Sequence, residues 1–170
     1  MANLATRRLR LKSDYEEMKK IQNQSYVSWV VSKGVAPYVE EYLLTIKVRT
    51  YYAPGKAMNT CKVQITFPTD YPYSAPRAKM ISEPLVYHPH WFLSGSYCPG
   101  SWGVSESLLR FTEKMIETLQ NNPDRINPCS PANKEAMAWY LKNKNNKSLF
   151  PSDTTKLTEK RGFKTTKRNF

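Results

Sequence analysis

The hydrophobic pattern of the chain changes period twice. Over residues 3–23, Leu4, Leu11, Tyr15, Met18 and Ile21 fall on one stripe among charged neighbours, the period of an amphipathic surface helix. From Ser25 the period drops to two. Val27, Trp29 and Val31 alternate with smaller or polar residues, and Ser32-Lys33-Gly34 reads as a turn. Tyr42, Leu44, Ile46, Val48 and Thr50 alternate in the same way, followed by a turn at Ala53-Pro54-Gly55. Cys61, Val63, Ile65 and Phe67 form a third run, and Arg77 to Ile81 a shorter fourth. Each run has one apolar and one more polar face, which predicts an antiparallel meander covered on one side.

Helical periodicity returns at Ser105 to Asn121, with Leu108, Phe111, Met115, Ile116 and Leu119 on its apolar stripe. After a connector from Pro123, Ser130-Pro131 reads as an N-cap followed by proline at the first helical position. That helix runs to about Asn143 with Ala136, Met137, Tyr140 and Leu141 inward. Helix, four strands, a long loop and two helices make an α+β fold. Periodicity ends near Lys144, so the expected division is a domain over 1–144 and a basic C-terminal tail over 145–170.

Charge sharpens that division. The chain carries 26 Lys+Arg against 14 Asp+Glu. Residues 142–170 hold nine basic and two acidic residues, and residues 1–20 six and three, which leaves the centre near neutral. A near-neutral body without a recognised motif argues against nucleic-acid binding, and the tail reads as a solvated extension. Three cysteines without a CxxC pair argue against a disulfide framework. No apolar run has the length of a membrane span, and the arginine-bearing N-terminus has no apolar signal core behind it. A reducing cytoplasm is the expected location, where thiols stay free.

The chemistry-bearing stretch is His88 to Trp102, His-Pro-His-Trp-Phe-Leu-Ser-Gly-Ser-Tyr-Cys-Pro-Gly-Ser-Trp, with both histidines of the chain and Cys98. Pro, Gly and Ser mark it as a loop, while Trp91, Phe92, Tyr97 and Trp102 require it to fold back on the body. Three readings of His88, His90 and Cys98 are open: hydrogen-bonded braces around a buried thiol, a metal site, or a nucleophilic cysteine. Structural zinc wants four ligands, and Cys61 and Cys129 have no paired neighbour. Hydrolysis of the papain kind wants a histidine on the cysteine, oriented by a third group, and no such signature surrounds Cys98. A thiol that accepts an already activated acyl group needs little base assistance, and a thiolate is both a good nucleophile and a good leaving group.

These residues carry a resemblance to the ubiquitin-conjugating enzyme (UBC-fold) family. Phe67-Pro68 with Tyr71-Pro72-Tyr73-Ser74-Ala75-Pro76 resembles the family's FP-x-x-YP-aromatic-x-x-P segment. His88-Pro89-His90 resembles its His-Pro-Asn, and Gly95-Ser96-Tyr97-Cys98 its Gly-Ser-Ile-Cys. The step from His88 to Cys98 is the family's usual one, Trp102 falls where members often carry Trp, and Pro131-Ala132-Asn133 with Ala136 resembles Pro-x-Asn-x-x-Ala. The resemblance implies a UBC-like fold and a catalytic Cys98 that takes a protein C-terminus as a thioester and passes it to a lysine. His90 would stand where the family's Asn supports the loop and the oxyanion. His88, Tyr97 and Ser130 would support the loop, and Tyr71, Pro72 and Tyr73 would dock partners. Ser130 stands where many members carry an acidic residue, Pro99 after the cysteine is unusual, and the family's last helix gives way to the basic tail.

The implied partners are an activating enzyme, a protein or ubiquitin-like cargo and a lysine-bearing target, with no cofactor or metal. His-Pro-His, Cys-x-x-x-Trp and Ser-Pro-Ala-Asn are similar to bacterial members from antiphage operons. Those stand beside cGAS-like nucleotidyltransferases (CBASS) or beside a ubiquitin-like protein with its own activating enzyme and protease (Bil). The first type is expected here, with a nucleotidyltransferase as cargo. An inactive UBC-fold binding module is the alternative outside catalysis.

Overall fold

A computed structural model describes residues 3–151. The first helix, α1 (Leu4–Met18), starts where Asn3 Oδ1 accepts the N–H of Ala5, and one further 3-10 turn carries it to Ile21. Its buried stripe is Leu11, Met18 and Ile21. Four strands then form a meander in chain order: β1 (Val27–Val35), β2 (Tyr38–Ile46), β5 (Cys61–Thr66) and β6 (Arg77–Met80). Between β2 and β5 stands a separate hairpin, β3 (Thr50–Ala53) with β4 (Lys56–Met58), turned at Pro54-Gly55. Two helices follow, α2 (Leu108–Leu119) and α3 (Lys134–Asn143).

The α+β expectation holds, with two local differences. The first hairpin turns at Ala36-Pro37, because Val35 pairs with Tyr38. Gly34 is instead a bulge residue at φ +88°, where a Cβ would stand 2.6 Å from the Tyr38 carbonyl oxygen. The long second run is broken after Ile46, and its Thr50 end pairs locally with Met58.

The period-two pattern buries its apolar face except at Val31, which is exposed in the second half of β1. Trp29, Tyr42, Leu44, Ile46, Cys61, Val63, Ile65 and Met80 bury one face of the sheet against Met18 and Ile21 and against Leu108, Phe111, Met115, Ile116 and Leu119 of α2. Cys61 is a core residue whose thiol burial pushes up to about 12, which makes it inert.

A second cluster lies around Tyr51. Met137 and Tyr140 of α3 pack on it together with Phe150, and its hydroxyl donates to the Leu149 carbonyl. The packed residues therefore continue six positions past the expected boundary at 144, since Leu149 and Phe150 close over α3. The remainder of the predicted tail lies outside the described residues.

The start of α3 is also corrected. Asn133 caps it, its Oδ1 accepting the Ala136 N–H at 3.0 Å. Ser130 cannot, because the N–H groups of Ala132 and Asn133 both go to the Pro89 carbonyl, at 2.8 and 3.1 Å, and hold that stretch extended against the His88 loop. Leu141, expected inward, is 41% exposed.

Candidate active site around Cys98

The loop from His88 to Cys98 is held by its own backbone and by β6. Met80 N–H donates to the Gly95 carbonyl at 2.8 Å and Tyr97 N–H to the Ala78 carbonyl at 3.0 Å, which stitches the loop along the sheet edge. Phe92 N–H to Ser96 and Gly95 N–H to Phe92 close its tip, with Gly95 at φ +90°. Trp91 is fully buried, its ring 5.1 Å from that of Tyr97, and Tyr97 in turn meets Phe111 of α2 at 5.8 Å. Tyr97 is anchored at both ends, its N–H on Ala78 and its hydroxyl on Thr118 Oγ1 at 3.3 Å, and burial pushes its pKa up to about 12.

The histidines are locked as neutral rings. His88 is fully buried; its Nδ1 accepts the His90 N–H at 3.0 Å, so its proton sits on Nε2, which faces the Thr118 carbonyl without a well-formed bond. Burial, with the neighbouring His90, pushes its pKa down to about 3. His90 Nε2 accepts the Asn127 N–H at 2.9 Å, and burial lowers its pKa. An accepting Nε2 fixes the proton of neutral His90 on Nδ1. The acceptor nitrogen of each ring is thus occupied by a backbone N–H. Among the described residues, no three of His, Cys, Asp and Glu converge as metal ligands would.

Cys98 is half-buried, and its N–H donates to the His90 carbonyl at 2.9 Å. The thiol lines a cleft of about 310 Å³ shared with His90, Tyr97, Asp124 and Asn127, with Pro99 to Ser101 as one wall. Two cations line it already neutralised: Lys114 pairs with Glu106 at 2.6 Å and Arg125 with the buried Glu117 at 2.7 Å. The arrangement offers a reachable thiol, a neutral imidazole and a polar, open cleft.

Three of the predicted site residues need correction. Ser130 is exposed and does not line the cleft; the connector acts on the loop through the backbone of Asn127, Ala132 and Asn133. Tyr71 is fully buried, because its hydroxyl donates to Asp14 and its ring packs between Phe67 and Trp102. Pro72 is buried too, its carbonyl accepting from Trp102 Nε1 at 2.8 Å. Tyr73, 60% exposed, is what the segment presents at the surface.

A ubiquitin-conjugating enzyme family model matches residues 10–151, most of the chain. The chain belongs to that family. Among curated proteins it is 31% identical over 85 residues to ubiquitin-conjugating enzyme E2 1 of Caenorhabditis elegans, covering 50% of this chain and 43% of that one. It is 30% identical over 105 residues to ubiquitin-conjugating enzyme E2 2 of Candida glabrata, covering 59% and 58%. The chain spans about half the length of the curated relatives it matches. Solved structures agree in fold. The putative ubiquitin-conjugating enzyme from Plasmodium yoelii superposes with a TM-score of 0.56 at 22% identity, over 84% of this chain and 86% of that one. Human ubiquitin-conjugating enzyme E2 G1 gives 0.51 at 20%, over 69% and 98%. Against the UBC fold, the residues that sequence reasoning missed are Asn127, whose N–H sets the His90 tautomer, and Asp124, Arg125 and Lys114 of the cleft. The sole sequence signal for Asn127 was its place in an Asn-Pro step within a connector.

Among the described residues, no helix is long and apolar enough to cross a membrane.

Proposed function

We propose that this chain is a thioester carrier: Cys98 takes the C-terminus of a protein and passes it to a lysine amine. The observation that carries the reading is the placement of the Cys98 thiol on an open cleft beside a neutral His90 whose tautomer is fixed by Asn127. In the first step the Cys98 thiolate attacks the carbonyl carbon of a thioester presented by an activating enzyme. The new S–C bond forms and the activating enzyme's thiolate leaves. In the second step a neutral amine attacks the same carbon, the C–N bond forms, the amine's proton passes to solvent in the open cleft, and Cys98 leaves as thiolate. The Nδ1–H of His90 serves the oxyanion of both steps, and one lost donor is worth on the order of 10²-fold in rate. His88 and Tyr97 hold the loop. The energy arrives in the incoming thioester, so no cofactor acts on this chain.

The cargo we assign is a cGAS-like nucleotidyltransferase of a bacterial antiphage operon, in the cytoplasm, with Tyr73 and the exposed face of α1 meeting protein partners. Support comes from His88-Pro89-His90, Cys98 with Trp102, and Ser130-Pro131-Ala132-Asn133, which resemble that subgroup. The test is expression with the native gene neighbours followed by mass identification of everything covalently joined to Cys98 or to target lysines. A nucleotidyltransferase C-terminus is expected. A small ubiquitin-like protein in its place would move the chain to the Bil type, and neither would leave a non-catalytic binding module.

A further inference from the structure

The segment that follows Cys98 is supported from α1. Pro99, Gly100 and Ser101 line the cleft, and the segment continues through Trp102 to α2. Residues 103–105 are exposed, so Trp102 is the one large apolar side chain between Cys98 and α2 that packs inward. The rest is held from α1. Arg10 Nη1 donates to the Val104 carbonyl at 2.6 Å, and Nη2 donates to the Glu106 carbonyl. Glu106 in turn pairs with Lys114, which lines the cleft. The guanidinium is aimed by Asp14, 2% exposed, whose Oδ2 receives Arg10 Nε at 3.1 Å. Asp14 is itself fixed by the Tyr71 hydroxyl and by the Leu108 N–H at 3.0 Å, the first residue of α2. Burial raises the Asp14 pKa, and the Leu108 N–H, Tyr71 and Arg10 pull it back. The Arg10 fork stands within 6.0 Å of the Trp102 ring centre.

We propose that Arg10, aimed by Asp14, is a positioning residue for transfer at Cys98. Its bonds to the Val104 and Glu106 carbonyls fix the far end of the Pro99–Glu106 segment, whose first three residues line the cleft, while the bond from Cys98 N–H to His90 fixes the near end. The proposal rests on the thioester reading of Cys98. A guanidinium presents several N–H groups in a rigid fork and serves Asp14 and two carbonyls at once, which an ammonium on a flexible stem cannot do in the same geometry. Misplacement of a reacting group by about an ångström costs up to roughly 10²-fold in rate.

The test loads Cys98 without any partner protein. A short peptide thioester of mercaptoethanesulfonate exchanges onto the Cys98 thiolate and releases the mercaptoethanesulfonate thiolate. Discharge to free lysine is then followed by intact mass in the full chain, with exposed Cys129 replaced by Ser in every variant. Arg10→Lys keeps the charge beside Asp14 and spares the fold; Asp14→Asn is the second variant. Discharge from the loaded Arg10→Lys chain is expected to fall about 10- to 100-fold in its limiting rate. The half-saturating lysine concentration should stay near that of the parent, the melting temperature should fall by a few degrees with the lost carbonyl bonds, and backbone amides of residues 103–106 should exchange faster. Faster exchange with unchanged discharge in both variants would make the bonds a structural brace and overturn the proposal. A parent chain that never loads at Cys98 would overturn the thioester reading, and this inference with it.

Discussion

The connection between β6 and α2 falls into two halves at Cys98, and they are built by different physics. From His88 to Cys98 the loop is held mostly through backbone groups: local bonds of His90 on His88, Cys98 on His90 and Phe92 on Ser96, rungs to β6, and bonds from Asn127, Ala132 and Asn133 of the connector. From Pro99 to Ser107 one short internal bond, Glu106 to Gly103, is joined by side chains from far away in sequence. Trp102 reaches Pro72, and Arg10 reaches Val104 and Glu106 across 94 and 96 positions. The reactive cysteine sits at the seam: its near side combines local backbone bonds with braces from the connector at Asn127, Ala132 and Asn133, and its far side depends on side chains from α1 and the Pro72 segment.

Substitutions test that division. The largest effect is expected from Trp91→Ala in the local half, since a fully buried aromatic is lost: about 3–5 kcal/mol of stability, read by urea unfolding. A loss below 1 kcal/mol would mean that the near half does not depend on its buried ring. His90→Ala removes the imidazole that lines the cleft and the acceptor for Asn127. Discharge of a loaded Cys98 should slow on the order of 10²-fold, measured by single-turnover mass analysis, and equal rates would remove His90 from the chemistry.

Third comes pH. The unfolded His88 titrates near its ordinary 6.5, whereas the folded ring is held down at about 3. Below 6.5 the unfolded chain binds the extra proton. Stability is thus full above that pH and falls as the medium is acidified toward 3, by up to about 1.4 kcal/mol per pH unit for one proton. His90, also lowered, adds in the same direction, while Asp14, raised by burial, works against it. A His88→Gln chain should show a flatter profile between pH 6.5 and 5 in the same unfolding measurement; identical slopes would contradict the assignment. Trp102→Phe, in the distal half, loses the bond to the Pro72 carbonyl and part of the ring contact with Tyr71, Phe111 and Arg10, and should cost about 1–2 kcal/mol, seen as a small fall in melting temperature. Ser130→Ala should stay within about 0.5 kcal/mol and leave discharge unchanged, since Ser130 is exposed and outside the cleft.

The same contrast explains what could be read from residues alone. The period-two runs found the meander because each inward residue, such as Leu44 or Val63, is decided by its own strand. The break after Ile46 was missed because Val48 and Thr50 continue the alternation and are buried, though Thr50 pairs with Met58 in another sheet. That His88, Tyr97 and Cys98 share one loop folded back on the body was legible from its composition and aromatic content. The burial of Tyr71 was not, because it depends on Asp14, a residue that the helical pattern of α1 places among ordinary charged positions. Ser130-Pro131 has the composition of a helix start, and the competing bonds to the Pro89 carbonyl moved the start to Asn133. Buried polar partners across long separations leave no local period, and Arg10 with Asp14 is the instance that matters most here.

Thioester carriage by Cys98 is tested most directly by the intact mass of the chain expressed with its native gene neighbours, with and without thiol reductant. A protein-sized adduct that reductant removes, that Cys98→Ala lacks and that Cys98→Ser retains as a reductant-resistant ester is the predicted result. No adduct on the wild-type or Cys98→Ser chain would contradict the carrier reading of the cleft.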